Sequence, residues 1–123
     1  MNEGDLVLTP LPQADGLVKN RPCVALRRMP GFGDWLLCGV STQLRQAIPG
    51  FDDTIGPEDA DFGGSGLKAP SLIRLGYLAV LPEARLLGAI GALSPERHRR
   101  LLKRLAAYLD RPADTEGPPD ASA

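Results

Sequence analysis

Residues 23–40 read CVALRRMPGFGDWLLCGV, and this stretch decides the fold. Two apolar runs, Cys23–Leu26 and Trp35–Val40, flank Met29-Pro30-Gly31-Phe32-Gly33. Proline fixes φ and glycine supplies φ > 0, so the middle is a turn. Both runs are continuously apolar rather than alternating. A strand covered on both faces reads that way, and so does a buried helix; the short length and the Gly/Pro flanks favour strands. We therefore expect one strand over Cys23–Leu26, extended by Arg27-Arg28, and another within Asp34–Val40.

The same punctuation continues outward. Leu6-Val7-Leu8 marks a strand within Asp5–Thr9, stopped by Pro10 and Pro12. Pro12–Asn20, with Asp15-Gly16, reads as a loop that ends in Lys19-Asn20-Arg21-Pro22. Ser41–Gln46 fits a short helical turn. Residues 49–66 carry Asp52, Asp53, Glu58, Asp59 and Asp61, and read as a long acidic loop with a short edge strand near Thr54-Ile55. Ser71–Leu81 is a strand pair or one bent strand, with Gly76 at the bend or bulge. Pro82–Arg85 is a turn, and Leu86–Ala92, with Gly88 and Gly91, is a close-packed last strand. Ser94-Pro95-Glu96 then opens a helix: Ser94 caps free N–H groups, Pro95 has no N–H to lose, and Glu96 faces the positive dipole end. Leu101, Leu102, Leu105 and Leu109 make its apolar stripe, and Arg111-Pro112 ends it.

With 14 Gly and 12 Pro in 123 residues, the chain breaks too often for long helices and reads as mainly β (α+β). We expect one domain over residues 1–110, its helix over 95–109, and a disordered tail over 111–123, which has no large apolar residue. The net charge of −1 means that a polyanion would have to be held by a local basic patch. Cys23 and Cys38 sit in apolar runs, so buried reduced thiols are expected, with a disulfide as the alternative. One histidine and two scattered cysteines argue against a structural zinc site. No apolar run reaches the ~20 residues that span a bilayer, and the first residues lack an apolar targeting core, so a soluble cytoplasmic protein is expected.

The order of several short motifs is specific. Gly4-Asp5-Leu6-Val7 opens the first strand. Lys19-Asn20-Arg21-Pro22 precedes the second. Leu37-Cys38-Gly39-Val40-Ser41-Thr42 ends the third. Gly66-Leu67-Lys68-Ala69-Pro70-Ser71 precedes the long strand, and Gly88-Ala89-Ile90-Gly91-Ala92-Leu93-Ser94 leads into the helix. Together, over about residues 4 to 109, these resemble the MazF/PemK toxins of type II toxin–antitoxin systems. The resemblance implies an SH3-like β-barrel with a C-terminal helix, a homodimer, and cleavage of single-stranded RNA with no metal or other cofactor. It also implies a cognate antitoxin whose disordered C-terminal part occupies the RNA groove.

Metal-free RNA cleavage needs a group to take the 2′-OH proton, a group to protonate the leaving 5′-oxygen, and a cation over the phosphorane. The resemblance assigns that cation to Arg21, whose guanidinium stays charged and can grip two phosphate oxygens. It assigns a phosphate-binding hydroxyl to Ser41, with Thr42 adjacent; a strand-end hydroxyl can instead bond local backbone. Arg74 and Lys19 are candidate RNA-backbone contacts, or outward-pointing solvated charges, and Gln13 is a candidate base contact. The family often places a carboxylate and then an arginine where this chain has Gly76 and Ala79. Two functions follow: an endoribonuclease toxin, or a catalytically degenerate barrel that binds RNA or protein. A structural dimer is a third reading. The run Arg97, Arg99, Arg100, Lys103 and Arg104 is expected to be a solvated helix face, and residues 52–61 a solvated loop. Trp35 and Tyr77 are expected in core or dimer packing, with base stacking as the alternative.

Overall fold

The structure is a computed structural model that describes residues 1–12 and 15–113. The chain forms β1 (Asp5–Pro12), β2 (Val18–Arg28), β3 (Trp35–Ser41), β4 (Asp53–Ile55), a one-turn helix α1 (Phe62–Ser65), β5 (Ser71–Leu81), β6 (Ala89–Ala92) and a C-terminal helix α2 (Pro95–Leu109). Short 3-10 turns occupy Leu44–Gln46 and Glu83–Arg85. The strands make one antiparallel sheet in the order β4-β5-β3-β2-β1-β6, curled into a half-barrel. The expected class, mainly β with a C-terminal helix, is what forms. Among the described residues no helix is long and apolar enough to cross a membrane.

The continuously apolar runs have a direct cause: the central strands are covered on both faces. Val24 and Leu26 of β2 join Leu6, Cys38, Val40, Ile73 and Leu75 in the main core, which Leu101 and Leu105 of α2 close. Cys23 and Ala25 point the other way and pack with Val7, Trp35 and Leu37 in a smaller cluster, covered by Leu81 and Leu86. Each fully buried aliphatic side chain contributes about 1.5–3 kcal/mol, so these two clusters dominate stability.

Register shifts interrupt the β1–β6, β2–β3 and β3–β5 ladders, and the last two bear on the site. Between Ala25 and Arg27 the β2–β3 register shifts, and His98 on α2 donates from Nε2 to the Leu26 carbonyl at 2.8 Å. In β5, Cys38 pairs with Leu78 but Gly39 pairs with Arg74, so Leu75, Gly76 and Tyr77 bulge out between them. The Leu75 N–H that this bulge releases donates to Asp52 Oδ1 at 3.1 Å, while Asp52 Oδ2 accepts from Ile48 N at 3.0 Å. Ser71–Leu81 is thus one strand bulged at Gly76, one of the two forms expected.

Helix α2 is capped as expected: Ser94 Oγ accepts from Arg97 N at 3.1 Å, and Pro95 takes the first position. Its buried side differs from the expected stripe. Leu101 and Leu105 are buried, but Leu109 is 70% exposed, and the buried position one turn before Leu101 belongs to Arg97. Arg97 holds Asp61 by two hydrogen bonds, Nε to Oδ2 at 2.9 Å and Nη2 to Oδ1 at 3.1 Å. It also reaches Asp53 Oδ2 at 2.7 Å and the Thr54 carbonyl at 3.0 Å. Arg100 donates to Asp53 at 2.8 Å, and Arg104 donates to the Asp52 carbonyl at 2.8 Å. This corrects two expectations at once: part of the basic run, and much of the 52–61 segment, are paired with each other rather than solvated. The segment is a strap that ties the edge strand β4 to α2.

The start of β2 is a second correction. Lys19, Asn20, Arg21 and Pro22 are not a loop end; they lie within β2 and pair with Leu11, Pro10, Thr9 and Leu8 of β1. The β2–β3 ladder runs only as far as Cys23 opposite Gly39, where the next residue, Pro22, has no N–H to offer. The expected tail lies outside the described residues from position 114 onward, as does Gln13.

Candidate functional site

Side chains alternate across a strand, so residues two apart share a face. On β2 that sets Lys19 and Arg21 on the same side as Cys23. Cys23 pairs with Gly39 and Gly39 with Arg74, so the same side of β3 and β5 carries Gly39, Ser41 and Arg74. The β2–β3 ladder ends at Cys23, so Arg21 shares this side of β2 two residues beyond the last paired position. The sheet therefore collects Lys19, Arg21, Ser41 and Arg74 on one face, around Gly39, beyond the end of the small apolar cluster. Arg21 and Arg74 lie two strands apart in the sheet.

Each side chain has a specific setting. Arg21 is half-buried, opposite the fully buried Thr9. Ser41 ends β3, and its Oγ accepts from Gln43 N at 3.0 Å. That bond turns the chain out of the sheet, and it uses a lone pair, leaving the hydroxyl proton for an acceptor such as a phosphate oxygen. Thr42 and Lys19 are exposed. The Arg74 guanidinium stands 5.8 Å over the Tyr77 ring and, among the described residues, has no carboxylate partner. Gly76 is exposed in the β5 bulge and Ala79 pairs with Leu37, so neither position supplies an acid or a cation.

Tyr77 belongs to this face. Its ring lies where a Cβ on Gly39 would stand, yet it is 42% exposed. No sequence signal gives this position, because it depends on the bulge register. Trp35, the other aromatic considered for stacking, is only 1% exposed. It lies under the Arg28 guanidinium at 4.5 Å and donates from Nε1 to Glu83 at 3.1 Å, so it is a core residue.

Elsewhere the chemistry is quiet. Both cysteines are free and buried. Burial pushes the Cys23 thiol up to about 11 and raises Cys38 as well, so neither is a ready nucleophile. An apolar groove of about 820 Å³ runs between residues 48–51, the β5 bulge and the end of α2. Its ionisable side chains with fixed charge are Arg104 and Arg111, so it offers neither a base nor a carboxylate.

Two of the solved structures similar in fold illustrate the likeness. One is described as an endoribonuclease in complex with its cognate antitoxin from Mycobacterial species: TM-score 0.66, 18% identity, covering 91% of this chain and 97% of that one. The other, the Mycobacterium tuberculosis toxin MazF-mt6, has a TM-score of 0.64 and 19% identity, covering 88% of this chain and 98% of that one. No curated protein matches the sequence. The model of the PemK-like, MazF-like toxin of type II toxin–antitoxin systems matches residues 2–109. A match over nearly the whole length, on a half-barrel whose motif residues gather on one face, leads to one conclusion: the chain belongs to the PemK/MazF family of type II toxins.

Proposed function

We propose that this toxin is an endoribonuclease that cuts single-stranded RNA without a metal, using the face around Gly39. What carries the reading is that Ser41 and Arg74 share one side of the paired strands β3 and β5, the side to which alternation along β2 assigns Arg21. In the reaction the 2′-oxygen attacks the adjacent phosphorus, a 2′-O–P bond forms and the P–O5′ bond breaks. The 2′ proton goes to a base, and the leaving 5′-oxygen takes up a proton. The products are a 2′,3′-cyclic phosphate and a 5′-hydroxyl. Arg21 neutralises the charge that builds on the phosphorane oxygens, and Ser41 donates its hydroxyl proton to one of them. Arg74 and Lys19 hold the flanking backbone, and Thr42 lies beside the phosphate at the strand end. The strand must be unpaired, because an A-form duplex hides its base edges and resists in-line geometry. The resemblance that suggests the activity also suggests a cytoplasmic homodimer, growth inhibition by the free toxin, and a cognate antitoxin that blocks this face. The antitoxin-bound structural neighbour supports that last point.

The lack of a carboxylate at Gly76 favours a second reading, in which the face grips RNA but no longer cuts it. Incubating the purified protein with defined single-stranded RNA in a chelator separates the two. Cleavage by the wild type that disappears in Arg21→Ala supports the enzyme. Retention of uncut RNA by the wild type supports the binding module.

A further inference from the structure

We infer that Tyr77 is a stacking platform for one unpaired nucleobase, and so helps to set which position of a bound RNA lies between Arg21 and Arg74. The inference rests on the RNA reading above and assigns a part of it that the family motifs do not contain. Three observations meet at this ring. First, it is seated on the backbone of β3: a Cβ on Gly39 would occupy the space its Cδ2 and Cε2 fill. Second, it is 42% exposed despite that seating. Third, the β5 bulge that presents it is pinned through Leu75 N by the buried Asp52 carboxylate. A ring held in this way gives up little freedom when a planar partner lies on it.

The surrounding charge selects the partner. Arg74 already lies over the ring at 5.8 Å, the loose end of a cation–π contact. A base can displace it at small cost, and the freed guanidinium then reaches a phosphate. Arg21 and Lys19 provide cations on β2, two strands from β5. Cations recognise phosphates and an aromatic face recognises a base; a nucleotide carries both features, whereas an acidic peptide carries only the first. Stacking tolerates every base, so Tyr77 fixes position along the strand, and base-edge contacts elsewhere would choose the sequence.

The test uses single-stranded sequences that the wild type retains on filters from a random RNA pool, remade with 2′-deoxyribose so that they cannot be cut. Tyr77→Phe keeps the ring and should bind like the wild type. Tyr77→Leu keeps apolar cover over Gly39 and should bind roughly 10-fold more weakly. An abasic scan should find one position that weakens the wild type by a similar factor and does not weaken Tyr77→Leu further, since both changes remove the same contact. A merely structural tyrosine would not link its loss to one nucleotide. Equal binding by Tyr77→Leu and the wild type, or abasic losses that add to the variant's loss at every position, would overturn the platform while leaving the cleavage reading intact. A wild type that neither retains nor cuts any RNA would overturn both.

Discussion

Arg97 is where helix α2 meets the acidic strap, and replacing it with alanine tests whether that meeting holds the fold together. The side chain is 7% exposed. It serves Asp61 with two bonds and Asp53 with one, and its third carboxylate neighbour, Asp59, stands 3.5 Å away. The side chains of Asp53 and Asp61 are themselves only 13% and 10% exposed, so they cannot regain full hydration once the guanidinium is gone. Breaking a buried pair of this kind costs about 3–5 kcal/mol. Arg100 at 2.8 Å and Arg104 at 3.6 Å still neutralise Asp53, which places Arg97→Ala near the lower end, about 3 kcal/mol. Arg100→Ala is the control: its side chain is 43% exposed, so the loss should stay under about 1 kcal/mol. Urea titration followed by circular dichroism reads both. With a slope of ~2 kcal/mol per molar, the Arg97→Ala midpoint should fall by about 1.5 M. Equal midpoints for the two variants would refute the reasoning.

Acid should reveal the same strap from the carboxylate side. The hydrogen bond from Arg97, with further help from Ser94 N and the Arg97 charge, holds Asp61 at about 2, against 3.8 for a free carboxyl. A lowered folded-state value means stability that is present above pH ~4 and lost as pH falls towards ~2, at most about 2 kcal/mol from this group. The pH series should lose this drop in Asp61→Asn, and an unchanged acid limb in that variant would contradict the assignment. Leu105→Asp places a lone charge in the main core, where Leu105 is 6% exposed, and should unfold the protein; a wild-type-like melt would count against the packing of α2. Cys23 and Cys38 are buried with raised thiol values, so a thiol reagent at pH 8 should react only after urea unfolds the chain. Rapid labelling of the native protein would show that one of them is exposed.

The strands and the helix were legible because their causes are local. Runs such as residues 35–40 are apolar throughout because the sheet is covered on both faces, and Gly/Pro breaks set their ends. Ser94-Pro95-Glu96 announced the helix start through its own hydrogen-bond chemistry. What failed to show was non-local. Asp61 and Arg97 are 36 positions apart, and Asp53 and Arg100 are 47 apart, so each looked like a solvated charge. A usable signal did exist: Arg97 stands four residues before Leu101 and eight before Leu105, on the buried stripe. Lys19–Pro22 looked like a loop because proline punctuates sequences, whereas here the strand survives where its ladder to β3 has stopped. Motifs single out Arg21 and Ser41, but their sharing of one face with Arg74 follows from strand alternation and pairing, and Tyr77 joins them only through a three-residue bulge.

The most direct measurement of the central claim is the chemistry of the product ends. Single-stranded RNA incubated with the protein in chelator, then analysed by mass spectrometry, should give fragments ending in 2′,3′-cyclic phosphate with 5′-hydroxyl partners. A 2′-deoxy substitution at the cut nucleotide should stop the reaction, as should Arg21→Ala. Fragments with 5′-phosphate ends, cutting that survives the 2′-deoxy substitution, or full activity in Arg21→Ala would contradict a 2′-hydroxyl attack stabilised by that guanidinium.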